Sequence, residues 1–336
     1  MTLPTFSLVC SSRLRPLLWL ALTLLAACTA TLPPAPDLSA IELSEVPFFP
    51  QEEYQCGPAA LATVLSWSGV AVTADELSRQ VYLPGRQGSL QLELVAASRQ
   101  AQRIPFLLTE TPQALFAELA AGYPVLVLQN FGIRALPQWH YAVVVGYDPQ
   151  RRRVLLRSGT QERRWESYTR FMASWRRSDY WAMAVLPPGR LPASATADSA
   201  ATEIARNEIF LEPGTILQAW EGALARWPDT PDILFGTANA RRQANGLEAA
   251  AELYARLLRQ SPGHFAARNN FADLLLQAGC PQAARAIIAP AIAGATRLAP
   301  ATAATLRSTG ADIGRQLAAT AVDPGYCTAL ARGARH

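Results

Sequence analysis

The chain has 336 residues, 50% hydrophobic and 8% aromatic, enough for two ordinary cores and too apolar for wholesale disorder. All 30 basic residues are arginine against 26 acidic ones, giving a formal charge of +4. Arginine-only usage reads as a codon bias, so neither nucleic-acid binding nor any other charge-based function follows from it.

The first element is a targeting segment. Arg13 and Arg15 precede an apolar run, Leu17 to Ala27, too short to span a bilayer. It ends Leu25-Ala26-Ala27-Cys28, which resembles the bacterial lipobox, in which the cysteine is lipidated and becomes the new N-terminus. That resemblance implies a signal peptide over 1–27, lipid on Cys28 and a tethered mature protein. Removing 1–27 takes two arginines and no acids, lowering the charge to +2. Thr29 after the cysteine, where an aspartate would retain the protein, resembles the pattern for sorting to the outer membrane, on its periplasmic face.

Residues 28–45, with Pro33, Pro34 and Pro36, read as a spacer. Pro58 to Ser68 reads as a helix with Pro58 in its first turn and Gly69 as its stop. Thr73-Ala74-Asp75-Glu76 has the form of a capping box. Further helices are expected from Leu90 to about Ala101 and from Thr111-Pro112 to Gly122. The period then changes to strands at Tyr123 to Gln129, His140 to Tyr147 and, past the Asp148-Pro149 turn, Val154 to Arg157. Helices followed by a sheet indicate an α+β domain over 46–188.

Residues 189–203 read as a second linker, and an alanine-rich helical region over 204–336 follows. There Pro228 and Pro262, Ala238 and Ala272, Ala250 and Ala284, and Tyr254 and Ile288 each lie 34 residues apart. This period resembles the tetratricopeptide repeat, with two full units and a partial one around Ile216 to Trp227. The resemblance implies an all-α repeat domain that binds a peptide or protein partner; a plain alanine-rich bundle is the alternative.

Export implies an oxidising compartment. With Cys10 in the signal and Cys28 lipidated, Cys56, Cys280 and Cys327 remain. Either Cys280 and Cys327 form one bridge and leave Cys56 free, or all three are buried thiols.

Cys56, in Gln51-Glu52-Glu53-Tyr54-Gln55-Cys56-Gly57-Pro58-Ala59, stands where a helix begins. Unsatisfied N–H groups and the positive dipole end there favour a thiolate. Of the three histidines, His336 is terminal and His264 falls between repeat helices, so His140 at a strand start is the partner. Together Gln51, Cys56-Gly57-Pro58-Ala59, the Gly-Tyr-Pro-Val-Leu-Val-Leu strand and His140-Tyr141 resemble the papain-like cysteine peptidases, most closely the bacteriocin-processing family that cleaves leader peptides. The resemblance covers about Pro47 to Val185. It implies that Cys56 is the nucleophile, His140 the general base and acid, and Gln51 with the Cys56 N–H the oxyanion hole. Gln51 stands five residues before the cysteine, where the family usually has six.

The family also places an aspartate on the strand after the histidine strand. Here that strand reads VLLRSGT. Asp148, eight residues along an extended strand at about 3.3 Å each, is roughly 26 Å from His140 and reads as a turn residue. The returning strand brings Ser158 nearest the imidazole, with Gln161 or Glu162 beyond.

There is no G-x-S-x-G elbow, P-loop, G-x-G-x-x-G or metal-ligand cluster, so no cofactor or metal is expected. The arginines from Arg151 to Arg177 read as a solvated hairpin edge. Three readings stand: a lipid-anchored peptidase whose repeats recruit a protein; a peptide-binding scaffold of the same fold with weak or no catalysis; and an acyl transferase using the same dyad.

Overall fold

The computed structural model describes Pro33 and residues 36–51, 55–317 and 324–333. Residues 1–27, read above as a signal segment, Cys28 and His336 lie outside them. From Pro36 on, the chain forms one compact unit. Its amino-terminal half is α+β, with seven strands in one antiparallel sheet, and its remainder is helical.

The strands are β1 (Ile41–Glu42), β2 (Pro105–Leu107), β3 (Val125–Asn130), β4 (Trp139–Asp148), β5 (Arg153–Ser158), β6 (Gln161–Ser167) and β7 (Ala182–Val185). Their order is β2-β7-β3-β4-β5-β6, with β1 paired to β4. β3 is buried at all six positions, as its unbroken apolar sequence requires of a strand covered on both faces. β6 (QERRWES) closes one edge, and its charged outer positions protect it from pairing with another chain.

Helix α1 (Cys56–Trp67) packs on one face of the sheet. Its residues Gly57 to Leu65 are all buried, because it is apolar around its circumference. Leu61 and Leu65 share a core with Leu126, Tyr141, Val143, Val145 and Leu155. α2 (Ala74–Val81) opens with the expected capping box: Thr73 Oγ1 accepts the Glu76 N–H and Glu76 Oε2 accepts the Thr73 N–H. α3 (Gln91–Gln100) and α4 (Pro112–Ala120) follow. α5 (Tyr168–Arg176) covers the other face, with Phe171 and Trp175 fully buried.

The second half comprises α6 (Ala197–Asn207), α7 (Pro213–Arg226), α8 (Pro231–Gln243), α9 (Leu247–Gln260), α10 (Phe265–Gln277), α11 (Pro281–Ala293), α12 (Pro300–Leu317) and α13 (Pro324–Arg332). First residues of alternate helices fall at 197, 231 and 265, and at 213, 247 and 281, a 34-residue step in both series. The partial unit around Ile216 is therefore a full pair. Its first helix opens inside the segment read as a linker, because Thr196 and Ser199 form a capping box that prolines and serines upstream had masked. The paired positions Ala238 and Ala272, Ala250 and Ala284, and Tyr254 and Ile288 are all buried between helices.

The two halves are clamped together through residues 192–195. The buried Glu118 carboxylate accepts the N–H groups of Ala193 and Ser194, both at 2.8 Å, and the Ser194 hydroxyl at 2.6 Å. Arg226 reaches the same segment from α7, donating to the carbonyls of Pro192 at 2.7 Å and Ala193 at 2.8 Å. Arg99 adds a bond to Asn207 Oδ1 at 2.8 Å and stacks over Phe210.

Cys280, at the start of α11, is bonded to Cys327 in α13, 47 residues on. Among the described residues Cys56 is the free thiol. Closing a loop of this length restricts the unfolded chain, so Cys280→Ala with Cys327→Ala is expected to lower stability by about 2–4 kcal/mol. Urea titration with and without reductant measures this; equal midpoints would show that the bridge contributes nothing.

Candidate active site

The end of β5 ties the site together through three consecutive residues. Arg157 is buried at 4% exposure, and its hydrogen-bond partners among the described residues are carbonyls: Val46 O at 3.0 Å, Glu162 O at 2.8 Å and Ser44 O at 3.4 Å. Ser158 Oγ lies 2.7 Å from His140 Nε2. The Gly159 carbonyl accepts the Gln51 N–H at 3.0 Å. The arginine thus pins the segment leading to Gln51, the serine meets the imidazole, and the glycine carbonyl holds the Gln51 backbone. Arg157→Met would strip three carbonyls of a donor and is expected to cost about 2–4 kcal/mol of stability, measured by urea unfolding.

Cys56 is the first residue of α1. Gln55 makes no side-chain cap there, so the first-turn N–H groups remain directed at the sulfur end of the helix. Gly57 permits the approach of the next loop, since a Cβ on it would lie 2.5 Å from Ser89 Oγ and 2.6 Å from Ser89 Cβ. Cys56, Gln51 and Ser158 line one small cavity with Phe49, Tyr141 and Arg157. At about 10 Å³ it is room for one water at most.

Burial pushes the Cys56 thiol above its ordinary value, against the backbone N–H groups of Tyr141, Gly57 and Cys56, which favour the thiolate. The expectation that the helix tip would leave a thiolate is therefore corrected: desolvation exceeds the dipole. Tyr141, the residue that follows His140, lines the same cavity as Cys56.

His140 is held neutral too. Burial, helped by the Arg164 guanidinium, depresses it from 6.5 to about 4. Its ring stacks on Phe131 with centroids 5.3 Å apart, and the Arg164 guanidinium lies 5.9 Å from the Phe131 ring centroid. Behind it, Gln129 is its cross-strand partner and donates to Glu166 Oε2 at 3.1 Å and Ser174 Oγ at 2.8 Å.

Asp148 is where the spacing put it, at the β4–β5 turn, bonded to Arg151 and Arg153. Gln161 pairs with Ser158 across the next hairpin, and Glu162 offers its carbonyl to Arg157. His264 caps α10, its Nδ1 accepting the Ala267 N–H. The solvated-edge reading of the arginines fails for the buried Arg157; Arg164 is half-buried, and Arg177 stays exposed while its Nε donates to the Asn130 carbonyl. A charge run does not reveal which guanidinium finds carbonyls inside. Phe131 and Arg157 carried no sequence signal. Among the described residues no group of His, Cys, Asp and Glu could hold a metal, and no helix is long and apolar enough to cross a membrane.

Residues 43–183 match the model of the Peptidase_C39 like family. Structures similar to this protein include a chain from Bacillus anthracis described as a C39-like peptidase, 16% identical with a TM-score of 0.38, covering 44% of this chain and 98% of that one. The peptidase domain of Streptococcus ComA, a bifunctional ABC transporter of a quorum-sensing pathway, is 22% identical with a TM-score of 0.35, covering 43% and 99%. A double glycine motif protease from an AMS/PCAT transporter, in complex with the leader peptide, is 18% identical with a TM-score of 0.35, covering 45% and 99%. No curated protein matches the chain. The matched segment holds most of the sheet and its covering helices; the helical pairs lie beyond it.

Proposed function

We propose that the chain is a cysteine peptidase that hydrolyses peptide bonds with Cys56 and His140. The observation that carries this reading is that Ser158, whose Oγ lies 2.7 Å from His140 Nε2, lines the same small cavity as Cys56 and Gln51. With Nε2–H donating to Ser158, Nδ1 keeps the lone pair that a general base needs. Because both groups rest neutral, the thiol proton passes to His140 as sulfur attacks the carbonyl. The C–N bond then breaks as His140 returns the proton to the leaving amine. Water, deprotonated by His140, cleaves the thioester and frees the second product. Gln51 and the Cys56 N–H hold the oxyanion.

In the same reading the 34-residue helical pairs recruit a protein substrate or partner, supplying binding energy away from the cleaved bond. Export, lipid on Cys28 and a place on the periplasmic face of the outer membrane complete it, supported by the Arg13, Arg15 and Leu25 to Cys28 pattern. Cleavage of a peptide library by the chain, absent with Cys56→Ala, tests it. The serine in the carboxylate position and the raised thiol favour a second reading, a scaffold that holds peptides uncut; binding without cleavage in that assay selects it.

A further inference from the structure

Four large apolar side chains crowd the nine residues ending at Trp139 and stand in solvent: Phe131 at 38% exposure, Ile133 at 63%, Leu136 at 73% and Trp139 at 53%. Such a display is unfavourable in water unless something covers it. The segment is also built to hold its shape. Asn130 Oδ1 accepts the N–H groups of Gly132 and Gln138, both at 2.9 Å, and Ile133 and Leu136 bond each other's backbone. Gly132 is obligatory, since a Cβ there would sit 2.2 Å from the Leu136 carbonyl oxygen. The result is a stiff apolar finger between β3 and β4.

The finger's base is at the imidazole: Trp139 immediately precedes His140, and Phe131 stacks on its ring. In thiol hydrolysis the base that accepts the sulfur's proton gives it to the leaving amine. The departing half of a bound peptide must therefore lie on the His140 side of the cleaved bond. That half is what the finger meets.

We propose that residues 131–139 form the subsite for the leaving half of the substrate, selecting large apolar side chains in the two positions after the cleaved bond. Arg134 at the tip and Arg164 over Phe131 place cationic charge beside it, so basic residues are turned away. The proposal rests on the peptidase reading. A bilayer would also cover apolar side chains, but Phe131 lies on the imidazole, so lipid over the finger would close the side from which the base must reach substrate.

The test uses the full chain and peptides that share one amino-terminal half, with Leu-Phe, Ser-Ser, Glu-Glu or Lys-Lys after the bond. The expected result is a kcat/KM at least about tenfold higher for Leu-Phe than for Ser-Ser, with Lys-Lys below Glu-Glu. Ile133→Ser with Leu136→Ser, both exposed and so expected to fold normally, should lose about tenfold on Leu-Phe and nothing on Ser-Ser. An unchanged ratio in that variant would overturn the proposal. So would loss of sedimentation with phosphatidylethanolamine–phosphatidylglycerol vesicles in a variant whose peptide preference persists. If the wild-type chain cuts none of the peptides, the peptidase reading fails and calorimetry decides this one. Leu-Phe peptide binding to the Cys56→Ala protein that the finger variant abolishes supports the subsite, and binding the variant leaves intact removes it.

Discussion

Cys56→Ala is expected to abolish peptide cleavage, a loss of at least about 10³-fold, with the fold unchanged because alanine fits where a small half-buried thiol stood. His140→Ala should cost about as much, since nucleophile and base act as one unit and removing either leaves only binding and the oxyanion hole. The double variant should therefore be no slower than either single one. Iodoacetamide provides an independent check. Burial raises the Cys56 thiol, so the wild-type chain should alkylate slowly at pH 7. A cleavage rate in Cys56→Ala equal to wild type would end the proposal that this sulfur is the nucleophile.

Ser158→Asp is expected to change the pH dependence of both activity and stability. The serine hydroxyl orients His140 but carries no charge, so nothing opposes the burial and Arg164 effects that depress the imidazole to about 4. The unfolded value is 6.5, so between pH 6.5 and 4 the unfolded chain holds a proton that the folded chain lacks. Stability is therefore fully present above pH 6.5 and falls by about 3 kcal/mol as the pH drops through 4, at 1.36 kcal/mol per unit. The acid limb of kcat/KM should lie near pH 4 for the same reason. A carboxylate at position 158 favours imidazolium and should raise the group by about 1–3 units. The acid limb then moves up by that amount, the acid loss of stability shrinks, and alkylation at pH 7 quickens as an ion pair forms. Urea midpoints at pH 7 and 4.5, with His140→Gln as the variant without the titrating group, measure the stability arm. An acid limb at the same pH in Ser158→Asp would show that residue 158 does not act on the base.

The helices and central strands were readable in the sequence because each carried a local signal. Pro58 in the first turn, the Thr73 and Glu76 box, and the apolar runs of β3 and β4 are resolved within a few residues by their own chemistry. Position 158 could also be inferred, because antiparallel return past the Asp148 turn leaves few residues that reach the start of β4. β6 escaped notice since Gln-Glu-Arg-Arg-Trp-Glu-Ser is too charged to look like a strand, and its pairing is decided by the neighbouring β5. Arg157 and Phe131 escaped for a different reason. Their roles depend on Val46 and His140, partners 111 and 9 residues away, which no local pattern encodes. The state of the thiol was misread because a helix tip is visible in sequence while the burial that outweighs it is not.

The Glu118 and Arg226 grips on residues 192–195 turn what composition marks as a hinge into a fixed joint. In the proposed reading, a protein seated on the helical pairs would consequently be held at a constant span from Cys56. Where such a chain is cut would then be counted off from its docking point, as on a gauge, with the residues at the bond deciding only how readily the cut is made.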